Sequence, residues 1–138
     1  MKPITTGKVL IVEDDPAIRK LLELALTRAG LSVDSAADGV EALEMARKCE
    51  HTLIFLDLTL PRMDGHEFLT LLKEHCGRAE KKPVVVVISA VSDLRSLDGE
   101  MVAATIRKPF EVAAVQHLAS SLIGAIVAEG PPSDEGCD

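Results

Sequence analysis

The sequence predicts a three-layer α/β sandwich, a five-stranded parallel sheet with helices on both faces. Three observations predict it. Short, partly β-branched apolar runs recur at residues 9–12, 53–56 and 84–88, each ending in polar residues, as strands buried on both faces do. Between them lie segments whose apolar residues repeat on one face at the 3.6 period. Strand and helix alternate five times, and right-handed crossovers turn that alternation into a parallel sheet covered on both sides.

The first strand, 9–12, runs into Glu13, Asp14, Asp15 and Pro16. Asp15 stands where an N-cap stands, before a proline at the first helical position. The helix that follows has Ile18, Leu21, Leu22, Ala25 and Leu26 on one face and stops before Gly30. Residues 31–35 are a weaker strand candidate. After Asp38-Gly39 a second helix runs over about 40–49, and a third over about 66–75, before Gly77. Gly99 interrupts an otherwise helix-compatible pattern over 92–104, which predicts a short or irregular fourth helix. Residues 105–107 are the second weak strand. A last helix follows Pro109 with Val112, Val115, Leu118, Leu122 and Ile126 inward.

The chain has 138 residues and 47% hydrophobic content, enough for one ordinary domain with a core of its own. That domain is expected over 1–128. Residues 130–138 are polar, Pro/Gly-rich and aperiodic, so 129–138 reads as a disordered tail or a linker stub. A net charge of −7 opposes nonspecific binding to nucleic acid or an anionic membrane, and no Trp or Tyr offers a stacking platform. With that charge the expected partners are proteins, and because no helix-turn-helix or catalytic output domain fits after 128, neither DNA binding nor second-messenger synthesis is expected of residues 1–138. The apolar stretch 112–128 is interrupted by Gln116, His117, Ser120 and Ser121, and residues 1–8 lack the apolar run of a signal peptide. Cys49, Cys76 and Cys137 form no even disulfide set and no CxxC pair, which reads as free thiols in the cytoplasm. His51, His66, His75 and His117 show no ligand spacing.

In a doubly wound sheet, ligands bind beyond the carboxyl ends of the strands, and the polar residues of this sequence collect there. Glu13 and Asp14 follow the first strand, Asp57 the third, Ser89 the fourth and Lys108 the fifth. Crowded carboxylates raise one another's pKa unless a cation joins them. A hard divalent ion meets that need. Mg²⁺ keeps several waters and asks for only one or two carboxylates plus a phosphate oxygen, whereas the cluster is too sparse for a Ca²⁺ cage. Taken singly, each residue has a plainer role: Glu13 and Asp14 as solvated acids at a helix N-terminus, Ser89 satisfying a strand-end carbonyl, Lys108 on the surface. The joint pattern argues against coincidence.

Four stretches carry a family resemblance: Val9-Leu10-Ile11-Val12-Glu13-Asp14-Asp15-Pro16, Leu56-Asp57-Leu58-Thr59-Leu60-Pro61-Arg62-Met63-Asp64-Gly65, Ile88-Ser89-Ala90 and Lys108-Pro109-Phe110. Together they resemble the successive signatures of response-regulator receiver domains, over about residues 7–128. The resemblance implies a flavodoxin-like sheet of order 2-1-3-4-5. It implies that Asp57 is the phosphoacceptor, served by a histidine kinase or a histidine phosphotransfer protein, with a downstream protein target. It implies Mg²⁺ held by Asp14, Asp57 and the Thr59 carbonyl, with Glu13 acting mainly through water. Ser89 and Lys108 resemble the hydroxyl and the lysine that contact the phosphoryl group.

The chain also departs from the family. Where receivers commonly carry Tyr or Phe, three residues before the lysine, Thr105 stands, so the usual aromatic switch is missing. The stretch from Ser89 to Lys108 is shorter than in the commonest receivers, and Met101-Val102 replaces the usual Gly-Ala. Two other functions compete. A haloacid-dehalogenase-type phosphatase also phosphorylates an Asp, but its nucleophile ends the first strand and a second Asp follows two residues later, where this chain has Thr59. A receiver-like module that docks partners without phosphorylation is suggested by Thr105. Ile123 and Val127 beside the inward stripe of the last helix predict an apolar patch and a weak homodimer through that helix.

Overall fold

The computed structural model describes residues 8–48, 50–60, 62–63, 65–76, 83–89 and 102–128, with backbone only for 125–128. β1 (Lys8–Val12), β2 (Ser32–Ala36), β3 (Leu53–Asp57), β4 (Val84–Ser89) and β5 (Val102–Arg107) form one parallel sheet in the order β2-β1-β3-β4-β5. The helices described are α1 (Pro16–Arg28), α2 (Gly39–Ala46), α3 (Gly65–Cys76) and α4 (Val112–Ala128).

The strand side chains alternate between two cores because successive residues of a strand point to opposite faces. Leu10, Val12, Ile54, Leu56, Val85 and Val87 pack with Phe68, Leu69 and Leu72 of α3 and Ala42 and Ala46 of α2. Val9, Ile11, Leu53, Phe55, Val86 and Ile88 pack with Leu22 and Leu26 of α1 and Val115, Ala119 and Ile123 of α4. Every residue of β3 is therefore buried, which is why 53–56 reads as an unbroken apolar run.

The helix boundaries follow local chemistry. Asp15 caps α1, its Oδ1 accepting from the Ala17 N–H at 2.9 Å and the Ile18 N–H at 3.4 Å, as its position before Pro16 predicts. α1 ends at Gly30, whose φ of 91° lets Gly30 N–H reach the Thr27 carbonyl at 2.9 Å and Leu31 N–H the Leu26 carbonyl at 3.2 Å. Asp38 caps α2 through the Glu41 N–H at 2.8 Å, and Glu41 reaches back to the Ala37 N–H at 2.8 Å.

Several expectations are corrected. β5 begins at Val102 rather than 105: inward-facing Val102, Ala104 and Ile106 alternate with exposed Ala103, Thr105 and Arg107, a period-2 pattern that the small alanines conceal in the sequence. The irregular helix expected over 92–104 thus ends in strand at 102–104, and its remainder lies outside the described residues, as do residues 129–138. α2 is shorter than expected, closing at Ala46. On α4, Val115 is buried and Leu118 and Leu122 pack half-buried against the core as expected, but Ala119 and Ile123 complete the buried stripe, so Ile123 belongs to the core and not to an exposed patch. The side chains of Ile126 and Val127 lie outside the description. Cys76 is disulfide-bonded, to a partner outside the described residues, so the free-thiol reading does not hold for it. Among the described residues no helix is long and apolar enough to cross a membrane.

Candidate functional site

Strand register brings the polar residues to one edge. Val12 lies opposite Leu56, Asp57 opposite Ile88, and Ser89 opposite Arg107, so Glu13, Asp57, Ser89 and Lys108 emerge within a residue of one level. The edge sits where β1 and β3 are neighbours and their connections leave on opposite sides, the crevice in which doubly wound sheets bind ligands.

Glu13 is the most deeply placed of the acids. Its N–H continues the ladder to the Ala36 carbonyl at 3.1 Å, its own carbonyl accepts from Arg19 Nη1 at 3.0 Å, and its Oε2 accepts from the Asp15 N–H at 3.2 Å. The carboxyl is only 1% exposed. Burial, seconded by the Asp57 charge, pushes its pKa from 4.5 up to about 7, against the lowering influence of the Asp15 N–H and Lys108.

Asp57, also buried, ends β3, with the Thr59 N–H donating to its Oδ1 at 3.0 Å and Lys108 Nζ to its Oδ2 at 3.1 Å. Lys108 also stands 3.2 Å from Glu13 Oε1 and 3.4 Å from Oε2, and only the latter contact is aligned as a hydrogen bond. Burial is the largest influence on the lysine and lowers its pKa, but its contacts with Asp57 and then Glu13 outweigh it, and the net shift is upward. The backbone helps to place that lysine: Lys108 N–H donates to the Ser89 carbonyl at 3.0 Å, and the Lys108–Pro109 peptide is cis. Ser89 is buried beside this path, whereas Asp14 and Thr59 are exposed at its mouth.

The arrangement suits a small hard cation. Carboxylate oxygens of Glu13, Asp14 and Asp57 all lie within 4.8 Å of one another, and Glu13 Oε1 is buried with no hydrogen-bond partner. A buried carboxylate oxygen without a donor is costly, and an all-oxygen donor set fits Mg²⁺ better than a soft metal.

The loop after Asp57 is held from α2. Arg62, at a φ of 68° that costs a non-glycine residue roughly 1–2 kcal/mol, places its guanidinium 2.9 Å from Asp38 Oδ2. The Glu41 N–H first and Arg62 second hold the Asp38 carboxyl below its ordinary range. A Cβ on Gly39 would come 2.8 Å from the Met63 carbonyl oxygen, and one on Gly65 2.6 Å from Leu58 Cα, so Met63 and Leu58 each pack against a glycine, one in α2 and one at the start of α3.

Sequence reasoning missed three of these features. Arg19 and the Asp38–Arg62 pair join residues far apart in the chain, and nothing in their spacing announces them. His51, for which the sequence offers no ligand spacing and no partner, is buried with Nε2 2.9 Å from Asp34 Oδ2 at the opposite end of the sheet.

Comparison with known proteins follows the same lines. The family model described as the response regulator receiver domain matches residues 9–119. The chain is 34% identical over 94 residues to the transcriptional regulatory protein SrrA of Staphylococcus aureus; the match takes in 68% of this chain and 37% of that protein, so the chain spans well under two thirds of its relative. Among solved structures, the N-terminal domain of an uncharacterized protein (WS1339) from Wolinella succinogenes is 30% identical, with a TM-score of 0.78 over 90% of this chain and 99% of that one. The chemotaxis response regulator CheY4 of Vibrio cholerae is 26% identical, with a TM-score of 0.76 over 86% of this chain and 99% of that one. With a sheet ordered 2-1-3-4-5, an acidic pocket at its carboxyl edge and a family match across most of its length, this chain belongs to the response regulator receiver domains of two-component systems.

Proposed function

We propose that Asp57 accepts a phosphoryl group from the phosphohistidine of a histidine kinase or histidine phosphotransfer protein, and that the chain signals by binding a downstream protein. The observation that carries this reading is Lys108 Nζ at 3.1 Å from Asp57 Oδ2, a buried carboxylate with a cation beside it at the ligand-binding edge of the sheet.

The chemistry is positioning plus charge neutralisation. A carboxylate oxygen of Asp57 attacks phosphorus, the P–N bond of the donor breaks, and the departing imidazole takes a proton from solvent, leaving an acyl phosphate on Asp57. Lys108 offsets charge on the phosphoryl oxygens, and the Ser89 hydroxyl donates to one of them. Asp14, Asp57 and the Thr59 carbonyl would hold Mg²⁺, with Glu13 acting through water. Bound there, Mg²⁺ supplies neutralisation of the phosphoryl oxygens and of the crowded carboxylates. Water reaching the exposed mouth by Thr59 later hydrolyses the acyl phosphate, so the domain assists its own dephosphorylation without being a free-standing enzyme.

The unit in this reading is residues 1–128, with 129–138 as a tail or linker stub and no contact with nucleic acid. Its setting is the cytoplasm, where ATP charges the donor histidine; the Cys76 disulfide withdraws the thiol argument for that setting. Self-association through α4 and β5 rests on one residue fewer, since Ile123 is in the core, and sedimentation velocity with and without phosphorylation decides it.

The test is intact-mass spectrometry after incubation with Mg²⁺ and acetyl phosphate. The wild type gains one phosphoryl mass and Asp57→Asn gains none. A wild type that never takes phosphate points instead to the docking-only module that Thr105, exposed on β5, suggests.

A further inference from the structure

We propose that Arg62 is a positioning residue for the acceptor site: by pairing with Asp38 at the N-terminus of α2, it holds the β3–α3 loop in the shape that keeps the Thr59 peptide beside Asp57. The inference rests on the reading above, in which Mg²⁺ and the phosphoryl group meet at Asp57 and Thr59.

Three observations point to it. Arg62 adopts a φ of 68°, a backbone state that a side-chain-bearing residue keeps only when its surroundings impose it. Its guanidinium lies 2.9 Å from Asp38 Oδ2, while Asp38 Oδ1 is already committed to the Glu41 N–H at 2.8 Å, so the anchoring carboxylate is itself fixed. Next to Arg62, Met63 closes on Gly39 so tightly that a Cβ there would meet its carbonyl oxygen at 2.8 Å. The same loop begins at the Thr59 N–H that donates to Asp57 Oδ1 at 3.0 Å and ends at Gly65, whose N–H donates to the Leu58 carbonyl at 2.9 Å. A loop anchored at its base by Asp57 and at its crown by Asp38 has little freedom to tilt Thr59 away.

Charge alone and anchoring predict opposite signs. By Coulomb attraction, removing the Arg62 cation tightens Mg²⁺ binding and removing the Asp38 anion weakens it. Loss of the anchor weakens Mg²⁺ binding in both cases. Asp38→Asn is suited to the comparison because asparagine caps a helix about as well as aspartate.

The experiment measures Mg²⁺ affinity by calorimetry on the metal-stripped 138-residue chain, and the rate of Asp57 phosphorylation by acetyl phosphate, for wild type, R62Q, R62K, D38N and the R62Q/D38N double variant. Thermal melts establish that each is folded at the assay temperature; if R62Q is not, Arg62→Gly, whose backbone takes a φ of 68° without strain, replaces it. Expected is a loss of Mg²⁺ affinity and phosphorylation rate of about 3–5-fold in both R62Q and D38N, no further loss in the double variant, and recovery in R62K. Tighter Mg²⁺ binding in R62Q, opposite shifts in R62Q and D38N, or no change in either would overturn the proposal. A wild type that binds Mg²⁺ and takes phosphate while R62Q matches it sinks the anchor alone. A wild type that does neither sinks the reading of the site and the anchor with it.

Discussion

Lys108 Nζ lies 3.1 Å from Asp57 Oδ2 and 3.2 Å from Glu13 Oε1, so one cation serves two buried carboxylates. In Lys108→Ala those carboxylates lose their countercharge. The metal-free variant should be less stable by about 1–3 kcal/mol at pH 8, since removing one partner of a buried ion pair leaves uncompensated charge. Mg²⁺ should then raise the melting temperature more in the variant than in the wild type, while phosphoryl uptake falls. Paired thermal melts with chelator and with Mg²⁺ check this, and an equal Mg²⁺ shift in both proteins would count against it.

Glu13 predicts a pH dependence. Its folded-state pKa of about 7 lies above the ordinary 4.5, so between those values the folded protein holds a proton that the unfolded chain has released. The group's contribution is therefore full below pH 4.5 and is lost as pH rises towards 7, with a ceiling on the order of 3 kcal/mol. Urea midpoints of the metal-free protein should drop over that window, and Glu13→Gln should flatten the drop. A variant with an unchanged slope would place the proton elsewhere.

Gly65→Ala brings a methyl group to 2.6 Å from Leu58 Cα and 3.1 Å from the Asp57 carbonyl oxygen. Backbone on both sides cannot yield cheaply, so a loss of about 1–3 kcal/mol is expected. Because the strain falls on Leu58 and on Asp57, the proposed acceptor, phosphorylation should slow as well. Gly30→Ala, with open space around the Cβ but a φ of 91°, should cost stability without touching phosphorylation. Denaturant titration and a phosphorylation time course on both variants separate the two effects.

The lifetime of phospho-Asp57 is a further prediction, made from the sequence positions two residues beyond Asp57 and Ser89. Thr59, exposed beside Asp57, and Val91, outside the described residues, stand in the sequence at positions that resemble those flanking the path of the hydrolytic water in receivers, and valine has no acid or amide to orient that water. Such positioning is worth a few kcal/mol at most, on the order of a hundredfold in rate. Val91→Glu should shorten the lifetime, and equal or slower phosphate loss in the variant would refute the idea.

Much of this architecture was legible because burial on both faces leaves an unambiguous mark. Residues 9–12, 53–56 and 84–88 are short, partly β-branched and closed by polar residues, which marks them as interior strands, and Glu13, Asp57 and Ser89 then fall at their carboxyl ends. The edge strands were harder to read. Val102, Ala103 and Ala104 carry too little side chain to declare a period, and Ser32, Val33 and Asp34 mix polar and apolar residues on a half-exposed strand. Features fixed by contacts across the fold, such as His51 on Asp34, Arg62 on Asp38 and the burial of Ile123 instead of its exposure, leave no local signature at all.

The two outer strands have a consequence for how the molecule behaves in a crowded solution. β2 places Ser32, Asp34 and Ser35 along one border of the sheet, and β5, whose register against β4 shifts between Val85 and Val86, carries exposed Thr105 and Arg107 along the other. Polar side chains and an irregular ladder make poor templates for an incoming strand. The stickiest segments, β3 and β4, are thereby flanked by borders that discourage growth of the sheet, so copies of the chain can be brought to high local concentration beside a partner without polymerising edge to edge.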